Sequence, residues 1–176
     1  MTGLLELHRE RVQPGWVDYN NHLNDAYYMV IFSNATTTLM EHIGLGENER
    51  RAKGHSLFTL EIHLNYLREI KGGVETRVET QILGHDQKRL HVFHLLYAED
   101  SPELRATNEQ MLVNIDMTGP RSAPFLPEVL AKIEAIERDQ AGPLPLPGAG
   151  AGAWRFPCPC PAGKSSRRPL WTRCAQ

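Results

Sequence analysis

Four consecutive segments carry the hydrophobic pattern of β-strands, and this succession constrains the fold more than any other feature of the chain: residues 57–67, 74–82, 89–98 and 105–115. In the first two segments apolar and polar side chains alternate with a period of two, which is typical of strands with one buried face. Gly72 and Gly73 supply a turn between them. The third segment is apolar nearly throughout, which predicts a central strand.

One long helix is predicted ahead of these strands, from Asp25 to Ile43. Its apolar positions recur at spacings of four, three, four and four residues, which places them on one helical face: Tyr28, Phe32, Ala35, Leu39 and Ile43. Gly44 follows, where a left-handed cap commonly ends a helix. A further strand is predicted around Leu5–Val12, and a short final helix over Pro127–Arg138. This order predicts an α+β fold in which an antiparallel sheet wraps around one long helix.

The composition is that of an ordinary globular domain. Of the 176 residues, 41% are hydrophobic and 23% are charged, and the net charge is -2. Because the chain has no stripe of lysine and arginine, we expect no nucleic-acid partner. No apolar run is long enough for a secretory signal or a membrane span, so we expect a cytoplasmic protein without a membrane partner. The outward-facing polar sides of the first two strands favour a homodimer or a homotetramer.

The composition changes abruptly after Arg138. Residues 139–176 are dense in proline, glycine and alanine and show neither helical nor strand periodicity. They contain all three cysteines, so the body of the chain cannot depend on disulfides. We therefore expect one folded domain in residues 1–138 and a disordered tail in residues 139–176.

The densest cluster of reactive polar groups before the tail lies in the loop that leads into the long helix: Asp18, Asn20, His22 and Asn24. The first N–H groups of a helix lack intrahelical partners and carry partial positive charge, so they suit a developing oxyanion. A carboxylate or imidazole just upstream is then placed to attack a carbonyl or to activate water. A purely structural interpretation also fits these residues, since Asp and Asn are the commonest turn and N-cap residues.

Residues 18–28, DYNNHLNDAYY, match the pattern D-x-N-x-H-x-N-x-x-x-Y and resemble the hot-dog-fold acyl-CoA thioesterases, in the branch of 4-hydroxybenzoyl-CoA thioesterase. Within it, the chain is most similar to thioesterases paired or fused with carnitine dehydrogenase. The resemblance implies a hot-dog fold and hydrolysis of an acyl-CoA thioester to a free acid and coenzyme A. Betainyl-CoA or a similar short acyl-CoA is the implied substrate, with acyl carrier protein as an alternative to coenzyme A.

The same resemblance implies roles for the loop residues. Asp18 matches the catalytic carboxylate of the family, which acts as a nucleophile or as a general base toward water. Asn20 and His22 match residues that relatives place around the thioester, and we count both as catalytic. Asn24 and Tyr28 are assigned to substrate binding, although Tyr28 fits a packing role equally well.

Two residues outside this pattern complete the predicted site. Trp16 stands where many relatives carry a further Asp, and we expect it to line the acyl pocket, where a cationic acyl group would gain about 0.5–2 kcal/mol from its ring. Glu61 lies on the polar side of an alternating strand, so it is either simply solvated or a water-activating base that acts across a dimer interface. No nucleotide-binding glycine motif occurs, so no cofactor is expected. No metal site is expected either, because His91 and His94 have odd spacing on one strand and face opposite ways.

Two other functions remain open at this point. A hot-dog enoyl-CoA hydratase or dehydratase would use a similar loop, but its usual Asn-Pro-x-His sequence is absent. A non-catalytic acyl-CoA-binding protein would keep the fold without turnover. The serine hydrolase class is disfavoured, because no G-x-S-x-G motif occurs in the chain.

Overall fold

The computed structural model describes residues 3–140. Their order is a strand, a long helix, a short helix, five strands and a final helix: β1 (Leu5–Arg11), α1 (Asp25–Ile43), α2 (Glu47–Lys53), β2 (His55–Tyr66), β3 (Glu75–His85), β4 (Arg89–Ala98), β5 (Leu104–Asp116), β6 (Arg121–Ser122) and α3 (Pro127–Asp139). A single 3-10 turn at Pro14–Trp16 follows β1. None of these helices is long and apolar enough to cross a membrane.

The strands form one antiparallel sheet in the order β1-β3-β4-β5-β2, with β6 added beside β5. The predicted α+β fold, an antiparallel sheet around one long helix, is therefore confirmed. β4 occupies the middle of the sheet, as its apolar sequence predicts. β2 is an edge strand, since within residues 3–140 it pairs only with β5.

Helix α1 has the bounds that its sequence predicts. The side chain of Asn24 caps the first turn, and Gly44 ends the helix in the left-handed region at φ 87°. One face is buried against the sheet through Tyr28, Ile31, Phe32, Ala35, Thr36, Leu39 and Ile43. Burial of each large apolar side chain on this face contributes about 1.5–3 kcal/mol, so packing on the sheet holds the helix in place.

The core between α1 and the sheet consists of two apolar clusters. The first surrounds the N-terminal half of α1 and contains Phe32, Ile70 and Leu96 among others. The second surrounds its C-terminal half and includes Leu39, together with Val129 and Ile133 of α3. α3 thus covers only the C-terminal half of α1, which leaves the N-terminal half free to carry a site.

A layer of buried polar side chains contributed by α1, β3, β4 and β5 accompanies these clusters: Thr36, Thr80, His94 and Gln110. The Thr36 hydroxyl lies 3.1 Å from His94 Nε2, and the Thr80 hydroxyl lies 2.9 Å from His94 Nδ1. The Thr36 hydroxyl is also 3.1 Å from Gln110 Oε1. Burial lowers the pKa of His94 to about 3, so this imidazole is neutral at physiological pH.

A β-bulge in β2 breaks the alternation that the sequence predicts for residues 57–67. The pairing with β5 shifts between Thr59 and Glu61, so that Phe58 and Ile62 lie on opposite faces of the sheet. The prediction that both apolar side chains share one face was therefore wrong. The bulge could not be detected in the sequence, because the extra residue, Leu60, is apolar and preserves the alternation of apolar and polar side chains.

The predicted boundary after Arg138, between a folded domain and a disordered tail, stays a prediction. Helix α3 ends at Asp139, and Gln140 is buried. The Gln140 side chain accepts a 2.8 Å hydrogen bond from the Ile82 N–H and donates one of 2.9 Å to the Thr80 carbonyl. Gln140 thus takes the place of a neighbouring strand along β3. The predicted tail beyond it, residues 141–176, lies outside the described residues.

Candidate active site

The loop that leads into α1 is folded around the Asp18 carboxylate. Its Oδ1 accepts hydrogen bonds from the N–H groups of Asn20, at 2.8 Å, and His22, at 3.0 Å. The Asp18 N–H donates to the His22 carbonyl at 2.8 Å, and Asn21 adopts the left-handed region at φ 61°. The sequence predicts this cluster of polar residues, and the structure shows that Asp18, Asn20 and His22 form one tight turn.

The same hydrogen bonds set the charge of Asp18. The His22 N–H is the largest cause that lowers the pKa of this carboxyl, and the Asn20 N–H adds to it. Asp18 is therefore ionised at neutral pH, as a nucleophile or a general base must be. The turn orients the carboxylate through Oδ1, which is the structural interpretation of the loop, and the catalytic role of Asp18 stays a prediction.

Residues 70–72 hold this loop against the sheet. The Leu23 N–H donates to the Ile70 carbonyl at 2.7 Å, and the Gly72 N–H donates to the Asn21 carbonyl at 3.1 Å. A Cβ on Gly72 would lie 2.6 Å from Asn21 Oδ1, which is closer than real contacts allow. A larger residue at position 72 therefore requires the Asn21 side chain to move.

His22 faces a carboxylate from this neighbouring segment. Its Nε2 lies 3.4 Å from Glu69 Oε2, and the imidazole is 31% exposed. Such a partner orients the ring. Glu69 was not predicted, because the contact joins residues 47 positions apart.

The N-terminus of α1 is closed by its own side chains. The Ala26 N–H donates to Asn24 Oδ1 at 3.1 Å and to Asp25 Oδ1 at 2.9 Å, and the Tyr27 N–H donates to the Asn24 carbonyl at 3.0 Å. Asn24 thus acts as an N-cap. A substrate oxygen that used the Ala26 N–H as an oxyanion donor would replace these carboxylate and amide oxygens.

Two pairs of aromatic rings flank the helix start. Trp16 stacks on Tyr27 with ring centroids 5.5 Å apart, and Tyr28 meets Tyr66 edge-on at 5.2 Å. The Tyr66 hydroxyl donates to the Asp25 carbonyl at 3.2 Å, which ties the end of β2 to the first turn of α1. Tyr28 is buried and packs in the core, while its hydroxyl donates to the Arg68 carbonyl at 3.3 Å.

Beside the second aromatic pair, a concave surface with a volume of about 320 Å³ opens at the helix start. Its lining includes Leu23, Asp25, Tyr28, Tyr66, Arg68 and Glu69. Of the predicted substrate-binding residues it contains Tyr28, whereas Trp16 and Asn24 are absent from this lining. Tyr66 and Glu69 are the residues that sequence reasoning missed.

Glu61 is not brought to the Asp18 loop within one chain. It follows the bulge in β2, on the opposite face of the sheet from α1, and lies beside His63 with Oε1 and Nε2 3.7 Å apart. It lies five positions before Tyr66, the part of β2 that touches the helix start, and this spacing is roughly 16 Å along a strand. Its predicted role therefore depends on a second copy of the chain.

The two histidines of β4 face opposite ways, as their spacing predicts. His94 points into the core, whereas His91 Nε2 lies 2.8 Å from Glu109 Oε1 on the other face. Across residues 3–140, no group of three or more His, Cys, Asp or Glu side chains is arranged to hold a metal ion.

Comparison with known proteins places this geometry in a family. A model described as the Thioesterase-like superfamily matches residues 12–133. The chain belongs to this superfamily. The thioesterase is 54% identical over 136 residues to the betainyl-CoA thioesterase of Pseudomonas aeruginosa, across 77% of this chain and 86% of that protein. It is 40% identical over 140 residues to the L-carnitine dehydrogenase/betainyl-CoA thioesterase of Agrobacterium fabrum, across 80% of this chain but only 28% of that longer protein.

Solved structures agree with this assignment. A Staphylococcus aureus protein in complex with CoA is 33% identical with a TM-score of 0.77, across 88% of this chain and 97% of that one. A Pseudomonas putida KT2440 protein, provisionally assigned as a thioesterase, is 42% identical with a TM-score of 0.73, across 88% and 98% of the two chains. The hot-dog fold and the thioester hydrolase class expected for this thioesterase are thus confirmed.

Proposed function

We propose that this thioesterase hydrolyses betainyl-CoA to glycine betaine and coenzyme A in the cytoplasm. The observation that carries the proposal is the ionised Asp18 carboxylate, held by two backbone N–H groups in the loop that enters α1. The identity of 54% to a betainyl-CoA thioesterase supports the acyl group. The coenzyme A bound to the Staphylococcus aureus relative supports this carrier over acyl carrier protein.

Asp18 starts the reaction in either of two ways. As a nucleophile, its carboxylate oxygen attacks the thioester carbonyl carbon, the C–S bond breaks, and coenzyme A leaves as a thiolate with the electron pair. Water then hydrolyses the mixed anhydride, which releases the acid and restores Asp18. As a general base, Asp18 instead takes a proton from the water that attacks the carbonyl carbon. In both routes the oxyanion forms beside the N-terminus of α1.

We also propose that the active unit is a homodimer paired through β2. Within the described residues the outer edge of β2 is open, and its side chains Phe58, Leu60 and Ile62 are 45%, 54% and 38% exposed. An open edge strand with large apolar side chains favours pairing with a second copy. The predicted role of Glu61 requires such a second copy. Light scattering should show that the Leu60→Glu variant is a monomer, and an activity assay should show that its turnover is reduced. Light scattering of the wild-type protein also distinguishes a homodimer from a homotetramer made of two dimers.

A hydrolysis assay tests the proposed activity. Betainyl-CoA incubated with the protein should release free thiol, detected with a disulfide reagent, and glycine betaine, detected by mass spectrometry. An enoyl-CoA hydratase would change enoyl absorbance without thiol release. A non-catalytic binding protein would retain betainyl-CoA unchanged, and that outcome would refute the proposal.

A further inference from the structure

A cationic acyl group needs a recognition site that a neutral acyl group does not. Quaternary ammonium ions bind best over aromatic faces, because the ring quadrupole attracts the cation. These ions have no N–H group, so they cannot donate hydrogen bonds to polar side chains. Neighbouring carboxylates add to this attraction when they are partly desolvated. The concave surface at the start of α1 combines both features, with Tyr28 and Tyr66 beside Asp25 and Glu69.

The two tyrosines form an aromatic corner that is already in place. Their rings meet edge-on with an interplanar angle of 89°, so the two faces are set at right angles, as in an aromatic cage. The hydroxyls are fixed by backbone carbonyls, Tyr28 by Arg68 and Tyr66 by Asp25. Tyr66 is 52% exposed, so its ring is accessible to a ligand, whereas Tyr28 is buried and contributes only the part of its ring that lines the surface.

Two carboxylates line this corner, Asp25 and Glu69. Burial raises the pKa of Tyr66, and the Asp25 charge adds to this shift. Arg68 also lines the surface, but its guanidinium lies 3.2 Å from Glu103 Oε1, which offsets its charge. A cation bound at this corner therefore lies beside two carboxylates.

We propose that Tyr28, Tyr66, Asp25 and Glu69 bind the trimethylammonium group of the acyl chain and so determine the choice of substrate. This inference rests on the proposed hydrolysis of betainyl-CoA. It also moves the expected cation contact away from Trp16, whose ring is stacked on Tyr27 and which is absent from the lining of this surface. Tyr66 and Glu69 are thus specificity-determining residues that no local motif contains.

A pair of isosteric substrates tests the site. Betainyl-CoA and tert-butylacetyl-CoA have nearly the same shape and differ by one positive charge. We expect Tyr66→Leu and Glu69→Gln each to lower the ratio of kcat/KM for betainyl-CoA to kcat/KM for tert-butylacetyl-CoA at least about fivefold, within the range of a lost cation contact. A loss that is common to both substrates in Glu69→Gln reports on His22, which Glu69 contacts. Tyr66→Phe keeps the ring and should keep the preference. Glu47→Gln, which removes an equal charge from α2, should leave both values unchanged.

Binding measurements separate this inference from the proposed function. The two matching thioethers, in which a methylene group replaces the carbonyl, cannot be hydrolysed, and their affinities follow from calorimetry. If the wild-type protein binds the cationic thioether more tightly and both variants abolish this preference, the site is supported even without turnover. Equal losses for both ligands, or a preference that survives both variants, would overturn it. Absence of turnover with the preference intact would refute only the proposed hydrolysis.

Discussion

The two ends of helix α1 are surrounded by different kinds of residue. The C-terminal end is sealed: Gly44 caps it, and α3 covers it with Val129, Ile133 and Ile136, all buried in one apolar cluster. The N-terminal end is only partly covered, by a polar turn, aromatic rings and a concave surface. The same helix therefore has buried apolar contacts, which stabilise the fold, at its C-terminal end and exposed polar groups at its N-terminal end.

Asp116, the last residue of β5, offers a comparison for the Asp18 turn. Asp18 and Asp116 both use Oδ1 to accept an N–H from two residues ahead, Asn20 and Thr118 respectively. The pKa of each carboxyl is lowered by such hydrogen bonds. Their local geometry is alike, and only Asp18 lies in the loop that enters α1. Position in the fold, and not the turn itself, distinguishes the candidate catalytic group.

The largest effect should therefore separate these two residues. We expect Asp18→Asn to lower kcat for betainyl-CoA by about a hundredfold to ten-thousandfold, because the neutral amide can neither attack the thioester nor accept a proton from water. The matched variant Asp116→Asn should keep kcat within about twofold. Stopped-flow measurement of thiol release checks both, and circular dichroism confirms that both are folded. An equal loss of kcat in the two variants would mean that Asp18 affects turnover only by stabilising its turn, and not as a catalytic group.

The reverse separation is expected for stability. Ile133 is fully buried in the cluster around the C-terminal half of α1. Ile133→Ala should lower the free energy of unfolding by roughly 2–5 kcal/mol, since it leaves a cavity in a packed core. Urea titration measures this loss, while kcat/KM of the folded fraction should stay close to the wild-type value. A tenfold fall in kcat/KM of the folded enzyme would show that the two ends are coupled.

His94, in the polar layer of the core, should make stability depend on pH. Its pKa is about 3 in the folded protein and near 6.5 when exposed, so the unfolded chain binds the proton more tightly. The stabilisation is complete above the unfolded value and is lost as the pH falls from about 6.5 toward 3, by at most about 1.4 kcal/mol per pH unit.

Urea titrations at about pH 6.5 and pH 5 measure this slope. Since every other titrating group is shared, the wild type should lose more stability between the two conditions than the His94→Gln variant does. Identical losses in the two proteins would show that His94 is not buried as a neutral imidazole.

The smallest effect concerns the position of the loop. A methyl group on Gly72 would collide with Asn21 Oδ1, so Gly72→Ala should displace the Asp18 turn and lower kcat/KM by about tenfold, with little change in stability. Gly15→Ala is the control, because its added Cβ meets no atom within 4 Å. Steady-state kinetics of the two variants measure the difference, and an unaffected Gly72→Ala enzyme would show that the turn adapts without cost.

Much of the fold could be predicted from local patterns. The bounds of α1, the antiparallel succession of strands and the central place of β4 all follow from periodicity and turn residues. α2 and β6 were missed, because α2 buries none of its residues and β6 spans only two. Neither element has a hydrophobic periodicity from which it could be predicted.

The candidate site could be predicted only in part. The polar loop was found because its reactive residues are close in sequence and precede a helix. Tyr66, Glu69 and Gly72 were not found, since each meets the loop or the helix start across about 40 residues or more of chain. Glu61 stays a prediction that depends on a second subunit.

Local sequence patterns predict which face of helix α1 is buried and where a polar loop lies, because these properties are set within a few neighbouring residues. The side chains that meet at the start of α1 are brought together by tertiary contacts, which local patterns do not predict. The pairing of β2 with β5 brings Tyr66 to Asp25, and the contact of residues 70–72 with the loop brings Glu69 to His22. Such contacts depend on strand register over long separations, which no local pattern encodes.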